Sequence, residues 1–527
     1  MNSRRPKVTA LTVDGRRYPV RYKVINANSL RIDTQDTARI KLTVIPGPDP
    51  EDGWWYKFGQ HATRIAMSVR NFSFTYKNTY AMTLPGFRPE VGDMFGQKKH
   101  GGFLAPGMDF AFGFTGDDYI DRALQNDWLI CNDSVVSPAS SNALEDLQLR
   151  ISLEPIRDLK IDLTANRTRN RSREIQYMFE GMPDTRSGNF SMSIISIGSA
   201  FERPSAGDGY HSGTFERFRR NLDVIRDRVE SQFLGAQYPQ GSTLAGKTFD
   251  PANGTISKHS PDVMIPAFLA AYTGKSARNS ALDFFPSLFS MMPNWRITYT
   301  GLTKIAWFKK NFRSVNLNHA YRSTYSVGSY NTFQSFMSYM GDIGFVEDVQ
   351  SGNPIPSSRF DISMVSINEQ FSPLIGMDAT LKNGLTAKVE YKTSRILNLS
   401  MSACQLVETA SRDFVIGLGY KIVNFNLFSG RNVKDSKNRV SHDLALRADI
   451  SFRNQSALCR DIQQGFAQAT NGNKALKISC SADYTLSRLL TLRLYYDRQQ
   501  NTPLVSSSSY PVVSADFGFS MKFSLTR

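Results

Sequence analysis

His319 lies five residues after Ser314 and four before Ser323. A serine beside an imidazole base is the pairing that activates a hydroxyl for ester or amide hydrolysis. The same histidine belongs to the row Val315, Leu317, Tyr321, apolar at every second position, so the competing reading is a strand histidine packed at an interface or a lumen wall. No HExxH, GxSxG or P-loop pattern occurs, and Gly417-Leu418-Gly419 is too short for a dinucleotide loop and sits inside an alternating run, where glycine marks close backbone approach. Cys131, Cys404, Cys459 and Cys480 show neither CxxC nor metal spacing, and Asn/Asp-rich stretches lack EF-hand spacing. Cys459 is expected in a loop and Cys480 in a strand opposite a residue near Leu446, which argues against a bridge between them. The sequence therefore assigns no catalytic, cofactor-binding or metal residue and no cofactor. It is read as no enzyme, with a barrel-embedded lipid hydrolase built on His319 ranked last.

Charge narrows the function less. The 527 residues carry 63 Lys plus Arg against 47 Asp plus Glu, a formal net charge of +16. Nucleic acid, anionic lipid or an acidic partner would each suit such a surplus. Arg217 to Arg228 and Lys309-Lys310 lack the interleaved aromatics of a single-strand nucleic-acid groove, so nucleic acid is set aside. Solvated loops, lipid headgroups and the lining of a lumen remain as destinations for the surplus.

Among the elements that would carry these side chains, the dominant pattern has period two. Val513, Ala515, Phe517, Phe519, Met521, Phe523 and Leu525 alternate with Ser514, Asp516, Gly518, Ser520, Lys522 and Ser524, giving one apolar and one polar face. The same period runs through Leu476–Leu486 and Leu490–Tyr496, separated by Ser487-Arg488, and through Ile375–Leu381 and Leu385–Tyr391 around Asn383-Gly384, a type I′ turn signal. Phe414–Ile422, Leu444–Phe452, Trp295–Tyr299, Leu147–Leu153 and Leu159–Ala165 repeat it. Several of these runs extend nine to thirteen residues, close to the roughly 9–11 that cross a bilayer at a tilt. Short turns at one rim, against long loops around 455–473 and 498–511 at the other, would be the outer-membrane pattern. Tyr299, Tyr321, Tyr391, Tyr420, Tyr484 and Tyr496 would then form interfacial girdles. No stretch is apolar and long enough for a membrane helix, and MNSRRPKVTALTVDG has no apolar signal-peptide core. Either a cytosolic protein or an internal piece of a longer exported chain fits, and the strand pattern selects the latter.

Between 206 and 292 the period becomes helical. Phe215, Phe218, Leu222, Ile225, Val229 and Phe233 form one stripe, and Ser260-Pro261-Asp262 opens a second helix. The expected organisation is short strands and long loops over 1–145, barrel hairpins over 146–205, a partly helical insert over 206–292 and barrel strands over 293–527.

Long stretches of the chain resemble one family. Pro293-Asn294-Trp295-Arg296 with Thr298-Tyr299, Leu317 to Tyr325 (LNHAYRSTY), Ile265 to Tyr272 (IPAFLAAY) and Arg157 to Asn166 (RDLKIDLTAN) are similar to the C-terminal region of the SprA/Sov family. Leu84-Pro85-Gly86-Phe87, Leu104-Ala105-Pro106-Gly107 and Asn501 to Val505 fit as well. These are outer-membrane translocons of the Bacteroidetes type IX secretion system, which also supports gliding motility. The resemblance implies part of a very large barrel in the cell outer membrane that passes cargo proteins to the cell surface. It further implies outer-membrane lipid, a PorV-type lateral-gate protein, a periplasmic plug protein and the remainder of the full-length barrel as partners.

The expected fold is thus all-β, an antiparallel transmembrane β-barrel with long loops and a partly helical insert. Phe517, Phe519, Met521 and Phe523 are assigned to lipid, and Ser514, Asp516, Ser520 and Lys522 to the lumen. Counting strands back from a periplasmic C-terminus places both loops outside the cell and the insert in the periplasm. A surface adhesin or binding protein with a large soluble β-domain is the alternative from another class.

Overall fold

A computed structural model describes residues 7–26, 29–33, 39–45, 67–90, 92, 95–116, 118–132, 137–176, 184–423, 425, 443–486, 489–505 and 510–524. By compactness the chain divides into two units, 1–70 with 153–156 and 71–152 with 157–527. In the first, Lys7–Thr12 turns at Gly15 to pair Arg17–Tyr18 and also pairs Ile40–Ile45. Arg21–Asn26 pairs Ser29–Asp33.

The second unit is organised by one antiparallel sheet. Its strands are β1 (Val69–Thr83), β2 (Ala139–Ile156), β3 (Leu159–Ile175), β4 (Asp184–Ser193), β5 (Asn294–Tyr299), β6 (Phe312–Thr332) and β7 (Phe360–Ile362). It continues with β8 (Met364–Leu381), β9 (Leu385–Ser400), β10 (Gln405–Ile422), β11 (Leu444–Asp461), β12 (Ala467–Thr485), β13 (Leu490–Pro503) and β14 (Val512–Phe523). The order is β14-β13-β12-β11-β10-β9-β8-β6-β4-β3-β2-β1, with β5 between β3 and β6 and β7 on β6. Fold class is therefore all-β, in a sheet with strands of membrane-barrel dimensions.

The strands are longer than the apolar runs that announced them. Most of β2–β12 span 16 to 21 residues, about 50–70 Å of extended chain, whereas the alternating apolar segment within each is nine residues or fewer. The difference lies in polar sequence: 455–461 completes β11, 467–473 opens β12, and 498–503 completes β13. The long loops expected there reduce to 462–466 and 504–511, because Asn, Gln and Ser are tolerated in a strand whose backbone bonds are all made by its neighbours. The longest link in this half, 423–443, joins β10 to β11 at the opposite end. Cys459 accordingly lies in β11, opposite Gln468, and Cys480 faces Ala448; all four cysteines are free.

At Lys382-Asn383-Gly384 the hairpin forms, but only Gly384 adopts positive φ, +88°. The connection is a three-residue loop with glycine in the left-handed position, not a type I′ turn. Ser487-Arg488 lies outside the described residues. The sequence also alternates from Arg64 to Tyr76, with a switch of apolar face near Arg70; the strand itself begins at Val69, after a helical turn at Met67-Ser68, and 64–66 lie outside the described residues.

β4 and β5 share one slot in the sheet. Arg167–Ile175 of β3 pairs with β4, Leu159–Thr164 of the same strand pairs with β5, and β6 runs along both. Between Ser193 and Asn294 the chain leaves the sheet to build the insert, with helices α1 (Gly213–Ser231) and α2 (Pro261–Tyr272). Ser212 caps α1 by accepting from the Phe215 N–H at 3.1 Å. The α1 stripe Phe215, Phe218, Leu222, Ile225 and Val229 is buried, and Phe218 meets Phe268 of α2 edge-on at 6.0 Å. Nearly all of α2 is buried, so it is the insert's central helix. Both pack with Tyr325, Ile367, Leu397 and Leu399 in one apolar cluster, where each buried large side chain contributes about 1.5–3 kcal/mol.

Cross-linking checks the register. In an Ala448→Cys variant, oxidation is expected to link the introduced thiol to Cys480 across β11 and β12, whereas a Leu446→Cys variant, altered at the position facing Ala482, is not expected to link. Mapping of the oxidised peptide reads the difference; the reverse preference would mean a two-residue slip.

Candidate functional site

Because side chains alternate across a sheet, the register assigns every strand residue to a face. Phe517 of β14 faces Tyr496, which faces Cys480, then Ala448, Leu418 and Ala387 in turn. One step along, Phe519, Leu494, Ala482, Leu446 and Tyr420 form the next row. Phe517, Phe519, Met521 and Phe523 thus share one face with the apolar rows of five neighbouring strands, and they are 60–72% exposed. Ile375, Phe414, Leu418, Ile450, Phe452 and Leu494 are also exposed on it. An uncovered apolar surface of this extent is foreign to a water-soluble monomer.

The opposite face carries Ser514, Asp516, Ser520 and Lys522, continuing into Arg493, Asp483, Arg447 and Gly419. Its charges pair locally: Arg453 with Asp413 across β11 and β10 at 3.0 Å, and Glu390 with Lys388 and Lys392 along β9 at 3.0 and 2.9 Å. Gly518 is covered by the ring of Tyr495 directly opposite, leaving no room for a side chain. The final-strand residues are therefore partitioned between the faces as their alternation requires.

The insert docks on the apolar side, on the half of each strand beyond the exposed apolar segment. Glu369 of β8 and Arg395 of β9 are buried there and paired at 2.7 Å. Glu369 also accepts from the Ser196 hydroxyl at 2.7 Å and the Tyr321 hydroxyl at 2.8 Å, while Arg395 donates to the Ser199 carbonyl at 2.6 Å. In a second buried pair, with Glu408, Arg460 donates to the Tyr210 carbonyl at 2.6 Å, with Phe215 under the guanidinium. Both pairs join sheet to insert. At the split between β4 and β5, side chains continue the ladder: the Ser193 hydroxyl accepts from the Asn166 N–H at 3.0 Å and the Asn294 side chain from the Ser323 N–H at 2.7 Å. That is a structural role for Asn294 within the Pro293-Asn294-Trp295-Arg296 motif, beside the Trp295 ring stacked on Tyr321 at 4.4 Å.

Several expectations change. His319 is half-buried, with Nδ1 at 2.6 Å from the Leu374 carbonyl; Ser323 belongs to the Ser196–Glu369 cluster and Ser314 points to the other face, opposite Thr380, so no serine dyad is assembled. Tyr321 and Tyr484 are buried and cannot serve as girdle residues, whereas Tyr420 and Tyr496 stay exposed on the apolar face. Two arginines of α1 are tied up within the fold, while Arg217 and Arg220 stay exposed. Arg219 donates to the Ile462 carbonyl at 3.1 Å, and Arg228 to the Ser280 carbonyl at 2.8 Å. Contact between Arg219 and the 462–466 turn also corrects the topology: insert and loop lie at the same end of the strands, and cannot stand on opposite sides of a membrane. Four arginines of β3, Arg167, Arg169, Arg171 and Arg173, share one face at the insert end, a cluster whose signal in the sequence is their own alternation. Arg173 is buried between Asp121 and Asp184, at 2.9 and 3.0 Å. In the insert, burial pushes the Asp262 carboxyl up, opposed by hydrogen bonds from Ser358 and Ser357.

No family model and no curated protein matches the chain. Among solved structures it is similar to the beta domain of the Bordetella autotransporter Brka, at 6% identity over 73% of this chain and 92% of that one, with a TM-score of 0.21. It is also similar to OmpT, an outer membrane protein of Vibrio cholerae in its trimer form, at 10% identity, the same coverage and a TM-score of 0.19. At such TM-scores neither likeness bears on function.

Removing one member of a buried ion pair strands the other. Arg395→Met is expected to destabilise the docked insert by about 3–5 kcal/mol, and the double variant Arg395→Met with Glu369→Leu to recover much of that loss. Limited proteolysis of 200–290 measures it; an Arg395→Met insert as resistant as wild type would show that the pair does not hold the dock.

Proposed function

We propose that the chain is part of the wall of an outer-membrane β-barrel that conducts proteins, with the apolar face in lipid and the polar face on a water-filled lumen. One observation carries the membrane part of this reading. Across β10, β11 and β12 the alternating apolar stretch is nine residues of each strand, Phe414–Ile422, Leu444–Phe452 and Leu476–Tyr484, and of its apolar-face residues only Tyr484, at the end, is buried. Nine residues is the length a tilted strand needs to cross the hydrocarbon layer. Backbone groups in that layer are satisfied by unbroken ladders.

Protein conduction rests on more than the patterning. The polar face runs the full height of the strands and carries both signs of charge in locally paired form, a lining suited to polypeptide passage without a fixed ligand. β1 and β14 each have a single neighbour among the described residues. An open edge is untenable in lipid, so further strands must complete the wall, and a barrel wider than these fourteen strands would admit folded or partly folded cargo. Resemblance to the SprA/Sov family supplies the specific role, that of the type IX translocon in secretion and gliding motility, with a PorV-type gate protein, a periplasmic plug and secreted cargo as partners. On this reading the insert, fixed to the apolar side beyond the lipid-facing band, stands on the outside of the wall and not within its lumen.

The two faces of β14 are expected to respond oppositely to charge. Phe519→Arg should cost about 2–4 kcal/mol of membrane stability and deplete the protein from the carbonate-resistant outer-membrane fraction, whereas Ser520→Arg should leave it there. Wild-type protein extracted by carbonate without detergent would favour the adhesin instead, and equal tolerance of both arginines would contradict the facial assignment.

A further inference from the structure

Where the apolar band ends on the insert side, the next row of the same face turns cationic. Phe414, Phe452 and Leu476 lie side by side on β10, β11 and β12; two residues further along the strands, Arg412, Asn454, Lys474 and Thr502 lie side by side in register. These rows line a cleft of about 420 Å³ with no carboxylate in its lining. Asp413, the nearest acid in sequence, belongs to the polar face and is held by Arg453. Among the described residues Arg412 makes one long hydrogen bond, 3.4 Å, to the Glu202 carbonyl, which leaves most of its donors to serve a ligand.

From this arrangement we propose that the cleft binds the phosphate headgroup of an anionic membrane lipid, with its acyl chains lying along Phe414, Phe452 and Leu476. This proposal rests on the reading of the apolar face as lipid-facing and adds to it the identity of a bound lipid class. Two cations lie at the border where hydrocarbon gives way to headgroup, beside amide and hydroxyl groups, so charge and polarity change together in the sense an anionic amphiphile requires. Planar donors on Arg412 suit paired phosphate oxygens, and Lys474 supplies a mobile point charge. A water-soluble phosphate compound would make no use of the three apolar residues flooring the cleft, which favours the lipid as source. Some of the chain's unassigned positive charge thereby acquires a place.

Native mass spectrometry of the full-length chain in detergent, with diphosphorylated lipid A or phosphatidylcholine added, tests the assignment. Wild type is expected to retain lipid A in preference to phosphatidylcholine. The double variant Arg412→Gln with Lys474→Gln is expected to lose about twenty-five-fold in lipid A retention, about fivefold for each basic group near an anionic surface. Lys474→Gln alone, which disturbs no contact with the insert, is expected to lose about fivefold and guards against misfolding of the double variant. Equal retention by wild type and Lys474→Gln overturns the proposal, as does displacement of lipid A by inorganic phosphate alone, which would make the cleft a soluble-anion site. Carbonate-resistant wild type without a lipid A preference sinks this inference and spares the membrane reading; carbonate-soluble wild type sinks both.

Discussion

Inside a hydrocarbon layer no water is present to receive a peptide N–H or to donate to a carbonyl, so every backbone group must find a partner within the protein. The long ladders of this chain answer that constraint. β10 and β11 pair in unbroken register from Gln405 with Asp461 to Ile422 with Leu444, and the next pair of strands shows a single shift, at Ala457/Leu458. Once the ladder is fixed, alternation delivers the two faces without further specification, and a slip of one residue would exchange Phe452 with Arg453 throughout the band.

The insert shows the same constraint from its other side. A chain can leave a strand slot halfway along only if the gap is repaired, and here Ser193, Asn294 and Ser323 repair it with side-chain and backbone bonds where β4 stops and β5 begins. Beyond the band the apolar face changes partner, from an uncovered surface to the buried faces of α1 and α2. Its charged residues there, Glu369, Arg395, Glu408 and Arg460, are each paired with the insert or with one another. A strand twice as long as a membrane needs is thereby used twice, half for the band and half as a dock.

Much of this was legible as alternation. The hairpins 375–391 and 476–496 and the faces of 513–523 follow from period two alone, and the α1 stripe from period 3.6. What escaped was of two kinds. Polar strand extensions such as Gln455–Asp461 look like loops because their stability comes from neighbours, not from their own composition. The dock escaped because Glu369 is separated by 26 residues from Arg395 and by 173 from Ser196, and only the register brings them together. His319 failed as a catalytic candidate for a related reason: nearness to Ser323 in sequence became distance along an extended strand, with the imidazole bound to Leu374 instead.

The most direct measurement of the two-faced wall is a single-cysteine fluorophore scan along β11, from Leu446 to Arg460, in vesicles containing brominated lipid, with the four native cysteines replaced. Quenching is expected at every second position from 446 to 452, absent at the intervening ones, and lost from 456 to 460, where the insert covers the strand. Quenching without alternation, or alternation that continues undiminished to Arg460, would contradict a lipid-facing band that ends beneath a docked insert.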